Sequence, residues 1–205
     1  MTNQTSPSEP DIVTQVERRE TTRVRTVYRV VRIQHNGDEG LARVRNISDG
    51  GMKLDIGLPV DLNDTLDVEL SPCVMLKGQV VWVNGGECGL SFRYPVDSAQ
   101  ALVTSAWESR APRARPPRLN AFIPVTTYSE RGLRGARVMD LSQRGMKLEH
   151  DGCFTPGLQI KVTFSSGIER RGTIRWVNGI LAGVLLTQSF TIDELGSIRR
   201  LAEPG

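Results

Sequence analysis

The sequence predicts an all-β protein made of two tandem small antiparallel β-barrels, each followed by a short α-helix. Three observations predict this fold: the chain repeats itself at an offset of 94 residues, short segments alternate apolar and polar residues, and tight-turn pairs punctuate them. Alternation with a period of two places every second side chain on the same face of a strand. Short strands at regular spacing, with turn signals between them, are typical of a small barrel or sandwich.

The repeat is clearest in two stretches. Residues 42–54 lie over residues 136–148, and residues 78–85 lie over residues 172–179, where both copies end in Trp-Val-Asn-Gly. A period this long with only two copies predicts two domains of one fold rather than a solenoid. The expected division is a disordered arm at 1–15, a first domain at 16–109, an Arg- and Pro-rich linker at 110–117 and a second, degenerate domain at 118–205.

Six segments of the first copy have the composition and alternation of strands. They are residues 24–33, 41–47, 52–56, 65–70, 79–83 and 88–92. Tight hairpins are predicted at Asn36-Gly37, Asn84-Gly85 and Asn178-Gly179, because Asn and Gly tolerate the positive φ that such turns require.

A helix is expected at the end of each copy. Capping boxes begin at Asp97 and at Thr191. Val103 and Trp107 are spaced for one helical face in the first copy. The second copy has a longer apolar stripe, which consists of Ile192, Leu195, Ile198 and Leu201. Each helix is expected to cover its own barrel, and docking onto the other domain or a second protomer remains the alternative.

Composition excludes several classes of protein. No segment approaches the ~18 apolar residues of a membrane span, and the N-terminus lacks the basic and apolar regions of a secretory signal. Three scattered cysteines (Cys73, Cys88 and Cys153) form no CxxC pair, which favours a reducing cytoplasm over disulfides or a zinc site. We therefore expect a cytoplasmic protein with no metal and no cofactor.

The other residues that stand out have ordinary explanations. His35 and His150 lie in predicted loops, without neighbours at metal-ligand spacing. Trp82 and Trp176 are expected in the cores of their barrels, although an aromatic ring there could stack on a ligand base. Cys88 is expected to be a small buried apolar residue rather than a nucleophile. No catalytic motif is present, so the chain is not expected to be an enzyme.

Two polar clusters in the first copy suggest a binding site. Arg19 and Arg23 precede the first strand, and the planar donor fork of arginine suits phosphate oxygens and the O6/N7 edge of guanine. Asn46 and Ser48 are two positions apart on a strand and so share a face. Gly51 follows at the turn, where a backbone conformation or close approach could exclude a Cβ.

The order RxxxR followed by NxSxxG resembles the PilZ domain, a bacterial module that binds the second messenger cyclic di-GMP (c-di-GMP). The resemblance runs twice, from about residue 18 to residue 186. It implies that Arg19 and Arg23 hold phosphate and guanine, with Asn46, Ser48 and Gly51 on the guanine side. Arg18 is a weaker candidate for a further contact.

The second copy departs from this pattern. Asp140, Ser142 and Gly145 keep a DxSxxG motif, and Arg118 aligns with Arg23 to within one residue. Ala114, however, stands four positions before Arg118. Losing one charge-assisted contact removes about 1.5–3 kcal/mol, so these residues are weaker candidates and the second domain is expected to bind weakly or not at all.

Three functions remain open on the sequence alone. The first is a non-catalytic bacterial c-di-GMP receptor that orders its arginine arm on binding and signals to an unidentified protein partner. The alternative is an interaction module of the same fold that binds no nucleotide. Non-specific nucleic-acid binding through the arginine clusters is the third and least favoured of these. The oligomeric state is left open.

Overall fold

The computed structural model describes residues 24–110 and 115–204. The first half forms a closed six-stranded antiparallel barrel, here called barrel 1, with the strand order β1-β2-β3-β6-β5-β4. Its strands are β1 (Val24–His35), β2 (Asp38–Ser48), β3 (Gly51–Ile56), β4 (Thr65–Ser71), β5 (Val74–Asn84) and β6 (Glu87–Phe92), and helix α1 (Ser98–Arg110) follows them.

The second half repeats this architecture as barrel 2, with the order β7-β8-β9-β12-β11-β10. Its strands are β7 (Leu119–Ser129), β8 (Gly132–Ser142), β9 (Gly145–Glu149), β10 (Gln159–Thr163), β11 (Glu169–Asn178) and β12 (Leu181–Leu186), and helix α2 (Ile198–Ala202) ends the chain. The predicted fold class, two tandem barrels each followed by a short helix, is therefore confirmed.

The hairpins follow the Asn-Gly signals, but two of the three predicted turns are shifted by one residue, because Asn84 and Asn178 still belong to strands β5 and β11. Asn36 and Gly37 both have positive φ (48° and 74°) and connect β1 to β2 as predicted. In the β5–β6 hairpin the two residues with positive φ are Gly85 and Gly86, while Asn84 still belongs to the strand. The glycine pair takes the turn because it adopts positive φ without the steric cost of a Cβ.

Each barrel has its own apolar interior, built from the inward-facing half of every strand. β7 shows the pattern most clearly, since buried and exposed residues alternate along its whole length. Cys88 is fully buried in the core of barrel 1, as predicted. Leu41 belongs to β2 but packs in the core of barrel 2, and Val30 of β1 packs against the same core.

The helices do not play equivalent parts. The Asp97 carboxylate accepts a hydrogen bond from Gln100 N (2.8 Å) and caps α1, which packs against β4 and β5 of its own barrel. The Thr191–Glu194 capping box forms in full but closes a turn, and Ser197 caps α2 instead. Helix α2 packs against β2 of barrel 1 as well as β7 of barrel 2, so this helix docks onto the other domain.

The contact between the barrels is built on the β1–β2 hairpin. The buried Asp38 carboxylate accepts hydrogen bonds from Ser197 Oγ (2.6 Å) and Arg199 N (3.2 Å). A Cβ on Gly40 would lie only 2.0 Å from the carbonyl oxygen of Gly196, so glycine is required for this close approach. Glu39 accepts two further hydrogen bonds from Asn120 at the start of β7 (2.9 and 3.1 Å).

No helix among the described residues is long and apolar enough to cross a membrane.

Candidate ligand-binding site

The predicted wall residues of barrel 1 meet at one strand connection. Asn46 and Ser48 lie at the end of β2, and Gly51 opens β3. Ser48 Oγ donates a hydrogen bond to the carbonyl oxygen of Gly51 (3.2 Å), which fixes the turn between the two strands.

Gly51 is needed for a close approach rather than for an unusual backbone angle. A Cβ at this position would lie 2.1 Å from the carbonyl oxygen of Leu90 on the neighbouring strand β6. The equivalent Cβ on Gly145 of barrel 2 would lie 2.8 Å from the carbonyl oxygen of Val184. The motif glycine therefore lets the backbones of two strands pack together directly beneath the polar turn.

The predicted arginines Arg18, Arg19 and Arg23 lie outside the described residues. The first described residue, Val24, pairs with Ile47 on β2, between Asn46 and Ser48. The described part of β1 therefore begins beside the wall that carries Asn46 and Ser48.

Asp49 connects this turn to helix α1. Its carboxylate accepts hydrogen bonds from Ser98 Oγ (2.6 Å) and Ser98 N (3.1 Å), and these bonds lower the pKa of the Asp49 carboxyl below its usual value. Its carbonyl oxygen accepts a further hydrogen bond from Val96 N (2.9 Å). The tip of the polar turn is thus tied to the first residue of α1.

The two strand tryptophans lie on the outer walls of the barrels, so their expected place in the cores is wrong. Trp82 and Trp176 are both exposed. A Cβ on Gly89 would lie 2.0 Å from Trp82 Nε1, and Gly183 stands in the same relation to Trp176, so each indole rests on a glycine. The Lys53 ammonium lies 5.7 Å from the centre of the Trp82 ring. The Trp and Gly are seven residues apart in both copies, which is the signal that could have located them.

Barrel 2 has a cavity of about 530 Å³ at the repeat-equivalent position. Asp140, Ser142, Gly145 and Trp176 all line it, so the structure brings the predicted motif residues together. Five cationic side chains also line it, namely Arg115, Arg118, Arg144, Lys147 and Arg175. This composition suits a ligand that combines negative charge with a flat ring.

The Asp140 carboxylate neutralises part of that positive charge. It forms ion pairs with Arg118 and with Lys147 (2.7 Å to Lys147 Nζ). In barrel 1 the same position is the neutral Asn46, and the equivalent Lys53 pairs instead with Glu87 (2.7 Å). The two sites therefore share a backbone geometry but differ in the carboxylate that pairs with the lysine, which is Asp140 of the motif in barrel 2 and Glu87 in barrel 1.

Strand register identifies Arg118 as the counterpart of Arg23. Leu119 pairs with Leu141 in barrel 2 as Val24 pairs with Ile47 in barrel 1. The irregular stretch that follows is one residue longer in β1 than in β7, which explains the one-residue offset in the sequence alignment. The position equivalent to Arg19, Ala114, lies outside the described residues.

Arg144 and Arg175 are the cavity residues that sequence reasoning missed. In barrel 1 the equivalent positions are Gly50 and Val81, so both arginines are specific to the second copy. Comparing the two copies for gained charges beside the motif would have identified them.

The structure groups no three His, Cys, Asp or Glu side chains as metal ligands within the residues it describes. His35 is the last residue of β1 rather than part of a loop, and its Nε2 lies 3.0 Å from the Asp64 carboxylate. His150 follows β9 and is buried against Phe154. Both histidines have local partners that account for their positions.

Comparison with known proteins identifies the family. The PilZ domain model matches the chain twice, at residues 17–105 and 112–203. No curated protein matches the chain.

Several solved structures are similar in fold. PlzA of Borreliella burgdorferi, in complex with c-di-GMP, has a TM-score of 0.40 at 11% identity, covering 91% of this chain and 95% of that one. The Bacillus subtilis inhibitor of motility MotI has a TM-score of 0.34 at 12% identity, with 86% and 94% covered. YcgR of Escherichia coli, also in complex with c-di-GMP, has a TM-score of 0.29 at 16% identity, with 84% and 80% covered.

The family model identifies the domain directly in the sequence. That model spans nearly all of both barrels, and each barrel carries the Ser-x-x-Gly turn with its close glycine approach. The chain belongs to the PilZ domain family, with one copy of the domain in each barrel.

Proposed function

We propose that this protein is a non-catalytic receptor for c-di-GMP whose main binding site is in barrel 1. In this proposal Arg19 and Arg23 approach the wall formed by Asn46, Ser48 and Gly51. The PilZ family is a family of c-di-GMP-binding modules, and the order of the two motifs in barrel 1 is that of the family. The pairing of Val24 with Ile47 supports this assignment, because the first described residue of β1 lies beside the wall.

The neutral side chain of Asn46 is the observation that favours barrel 1 over barrel 2 as the main site. In barrel 2 the equivalent Asp140 already pairs with Arg118, the counterpart of Arg23. A phosphate that approached Arg118 would have to compete with this carboxylate, whereas Asn46 presents only an amide. Since charge-assisted bonds are roughly twice as strong as neutral ones, the neutral wall leaves more of the arginine's binding energy for the ligand.

Trp82 and Lys53 extend the proposed site along the wall. The exposed indole face offers a flat apolar surface on which a guanine base can stack, and such stacking contributes about 1–3 kcal/mol per base. Lys53 carries a positive charge within reach of a phosphate at the edge of that ring. A ligand with both bases and phosphates matches this combination.

Helix α1 is the proposed route of the signal. Asp49 joins the binding turn to Ser98 at the start of α1, and Arg29 of β1 donates a hydrogen bond to Ser105 O (2.6 Å) farther along the helix. Ordering of the arm before β1 would therefore act on the helix from two directions. The ordered surface would then change the affinity for a protein partner.

Barrel 2 is a second candidate site, favoured by its basic cavity. Arg144 and Arg175 supply positive charge that barrel 1 lacks at these positions. We expect weaker binding there, because ligand phosphates would compete with Asp140 for Arg118.

Calorimetric titration of c-di-GMP into the full chain tests the proposal. We expect saturable binding that weakens at least tenfold in an Arg19→Ala/Arg23→Ala variant, as the loss of charge-assisted bonds requires. The matched control is Arg110→Ala/Arg171→Ala, which removes the same charge from exposed positions outside the binding wall.

Each other result has a distinct meaning. Binding that survives in the arm variant and is lost in Arg118→Ala would place the main site in barrel 2. No binding by the intact chain would favour the interaction module. Equal, steeply salt-dependent binding of any nucleic acid would favour backbone recognition instead.

A further inference from the structure

The outer surface of the β7–β8 hairpin is apolar and uncovered. Phe122 is 71% exposed, and Tyr128 (58%) and Leu133 (71%) face solvent as direct cross-strand partners. A Cβ added to Gly135, on the same strand as Leu133, would meet nothing within 4 Å. The solvent face of an antiparallel sheet is normally polar, so an apolar face of this kind marks an interaction surface.

In barrel 1 the equivalent surface is covered by barrel 2. Matching strand pairs show that Leu133 and Gly135 are the counterparts of Glu39 and Leu41. Glu39 accepts hydrogen bonds from Asn120, and Leu41 is 1% exposed within the core of barrel 2. The same face of the fold is thus an interface in one copy and open in the other.

The segment that covers barrel 1 comes from the C-terminal end of barrel 2. Leu41 N donates a hydrogen bond to Leu195 O (2.7 Å), and Ser197 donates to Asp38. The segment in the same position after barrel 1 is helix α1, which is a longer continuous helix. Its outward face carries Val103 (53% exposed) and Trp107 (78% exposed). The interbarrel contact joins the β1–β2 face to the segment that follows barrel 2. The repeat counterparts of these two surfaces are the β7–β8 face and the outward face of α1, and both are uncovered.

We propose that a second copy of this chain covers the open surface, with its α1 packed on the β7–β8 face. The Trp107 indole would lie over the flat position at Gly135, between the side chains on β7 and β8. The contact joins unlike surfaces, so each copy offers one helix and one sheet face. Two copies that exchange both contacts form a closed dimer, the smallest assembly that leaves neither surface exposed.

Charged pairs on either side of the patch support an interface of limited extent. Lys161 pairs with Glu169 (2.8 Å) on the β10 side, and Arg137 pairs with Glu149 (3.9 Å) on the β9 side. An apolar centre with a polar rim is the usual anatomy of a protein–protein contact. Trp and Tyr, both present here, are enriched among residues that dominate binding energy.

Sedimentation of the full chain across micromolar concentrations tests the proposal. We expect concentration-dependent self-association that is lost in Trp107→Glu and, separately, in Leu133→Glu. The matched control is Leu62→Glu, which adds the same charge at an exposed leucine outside both surfaces and should associate as the wild type does. A wild type that remains monomeric throughout, or variants that still associate, would overturn the proposal.

Disulfide trapping tests which surfaces meet. In a Cys73→Ser/Cys153→Ser background, Trp107→Cys chains mixed with Leu133→Cys chains should form a mixed disulfide in mild oxidant. Each chain oxidised alone should cross-link far more slowly, since a helix faces a sheet and not another helix. Faster trapping of Trp107→Cys with itself would replace the proposed contact with a helix-to-helix one.

Discussion

The guanidinium of Arg118 contacts the carboxylate of Asp140 in the cavity of barrel 2. In barrel 1, Asn46 takes the place of that carboxylate. One side-chain atom, oxygen or nitrogen, therefore decides whether this position of the wall can form an ion pair with an arginine. The difference gives the two barrels distinct expected affinities for the same anionic ligand.

Exchanging these two residues should exchange the affinities. We expect Asn46→Asp to weaken c-di-GMP binding by barrel 1 about tenfold, because the new carboxylate both repels phosphate and pairs with the arm arginines. Asp140→Asn should strengthen binding by barrel 2 by a similar factor, since Arg118 is then released. Calorimetric titration of each variant in the full chain measures both effects. If both variants change the affinity in the same direction, competition between the carboxylate and the ligand phosphate is not the cause of the difference.

Gly51 and Gly145 should differ in how far replacement by Ala lowers the free energy of unfolding. Gly51→Ala places a Cβ against the Leu90 carbonyl oxygen, where the separation is 2.1 Å, so we expect a loss of about 1–3 kcal/mol in the free energy of unfolding. Gly145→Ala meets the Val184 carbonyl oxygen at 2.8 Å and should cost less. Urea unfolding of both variants gives the ranking. A larger loss for Gly145→Ala than for Gly51→Ala would show that β3 and β6 separate more easily than β9 and β12.

The fold was predictable because its signals are local and occur twice. Alternation along the strands, the Asn36-Gly37 turn and the repeat each indicate the same architecture. The contact between the barrels was not predictable, because Asp38 and Glu39 follow a turn and have the composition of a solvent-exposed segment. Asp38 is buried and Glu39 half-buried because both pair with residues more than 80 positions away, which their local sequence does not reveal.

The motif residues of the candidate site were predictable from the sequence, but the position of Trp82 on the outer wall of barrel 1 was not. Asn46, Ser48 and Gly51 come together because the turn between two adjacent strands is a short-range feature. The inward or outward direction of Trp82 depends instead on an irregularity in the pairing of β5 with β6, between Val80 and Trp82. A one-residue irregularity reverses the face on which a strand residue lies, and composition does not reveal it.

Leu41 should stabilise barrel 2 although it belongs to a strand of barrel 1. Leu41→Ala removes a side chain that is 1% exposed in the core of barrel 2, so we expect unfolding to become easier by about 2–5 kcal/mol. Leu62→Ala, at an exposed loop position, should change stability by no more than about 0.5 kcal/mol. Urea unfolding followed by the fluorescence of Trp176, with Trp82 and Trp107 replaced by Phe, measures the effect on barrel 2. Equal midpoints for the two leucine variants would show that the barrels are not coupled through this contact.

His150 should make the protein less stable in mild acid. Its Nδ1 accepts hydrogen bonds from Gly152 N (3.0 Å) and Phe154 N (3.4 Å), so the ring proton is on Nε2, which is buried without a partner among the described residues. Burial is the main cause of the lowered pKa of His150, and the nearby Asp151 carboxylate opposes that shift.

The sign of the pH effect follows from that lowered pKa. The unfolded chain takes up a proton near pH 6.5, before the folded chain does, so the free energy of unfolding falls as the pH drops below about 6.5. Protonation of Nδ1 would also break both backbone hydrogen bonds.

Replacing His150 with Gln should remove this part of the pH dependence. The variant should still lose stability at much lower pH, where Asp151, whose pKa is lowered to about 2, becomes protonated. Chemical unfolding of both proteins between pH 5 and pH 8 gives the comparison, since this is the window in which histidine titrates. Parallel stability curves for wild type and His150→Gln across that window would rule out His150 as the group responsible.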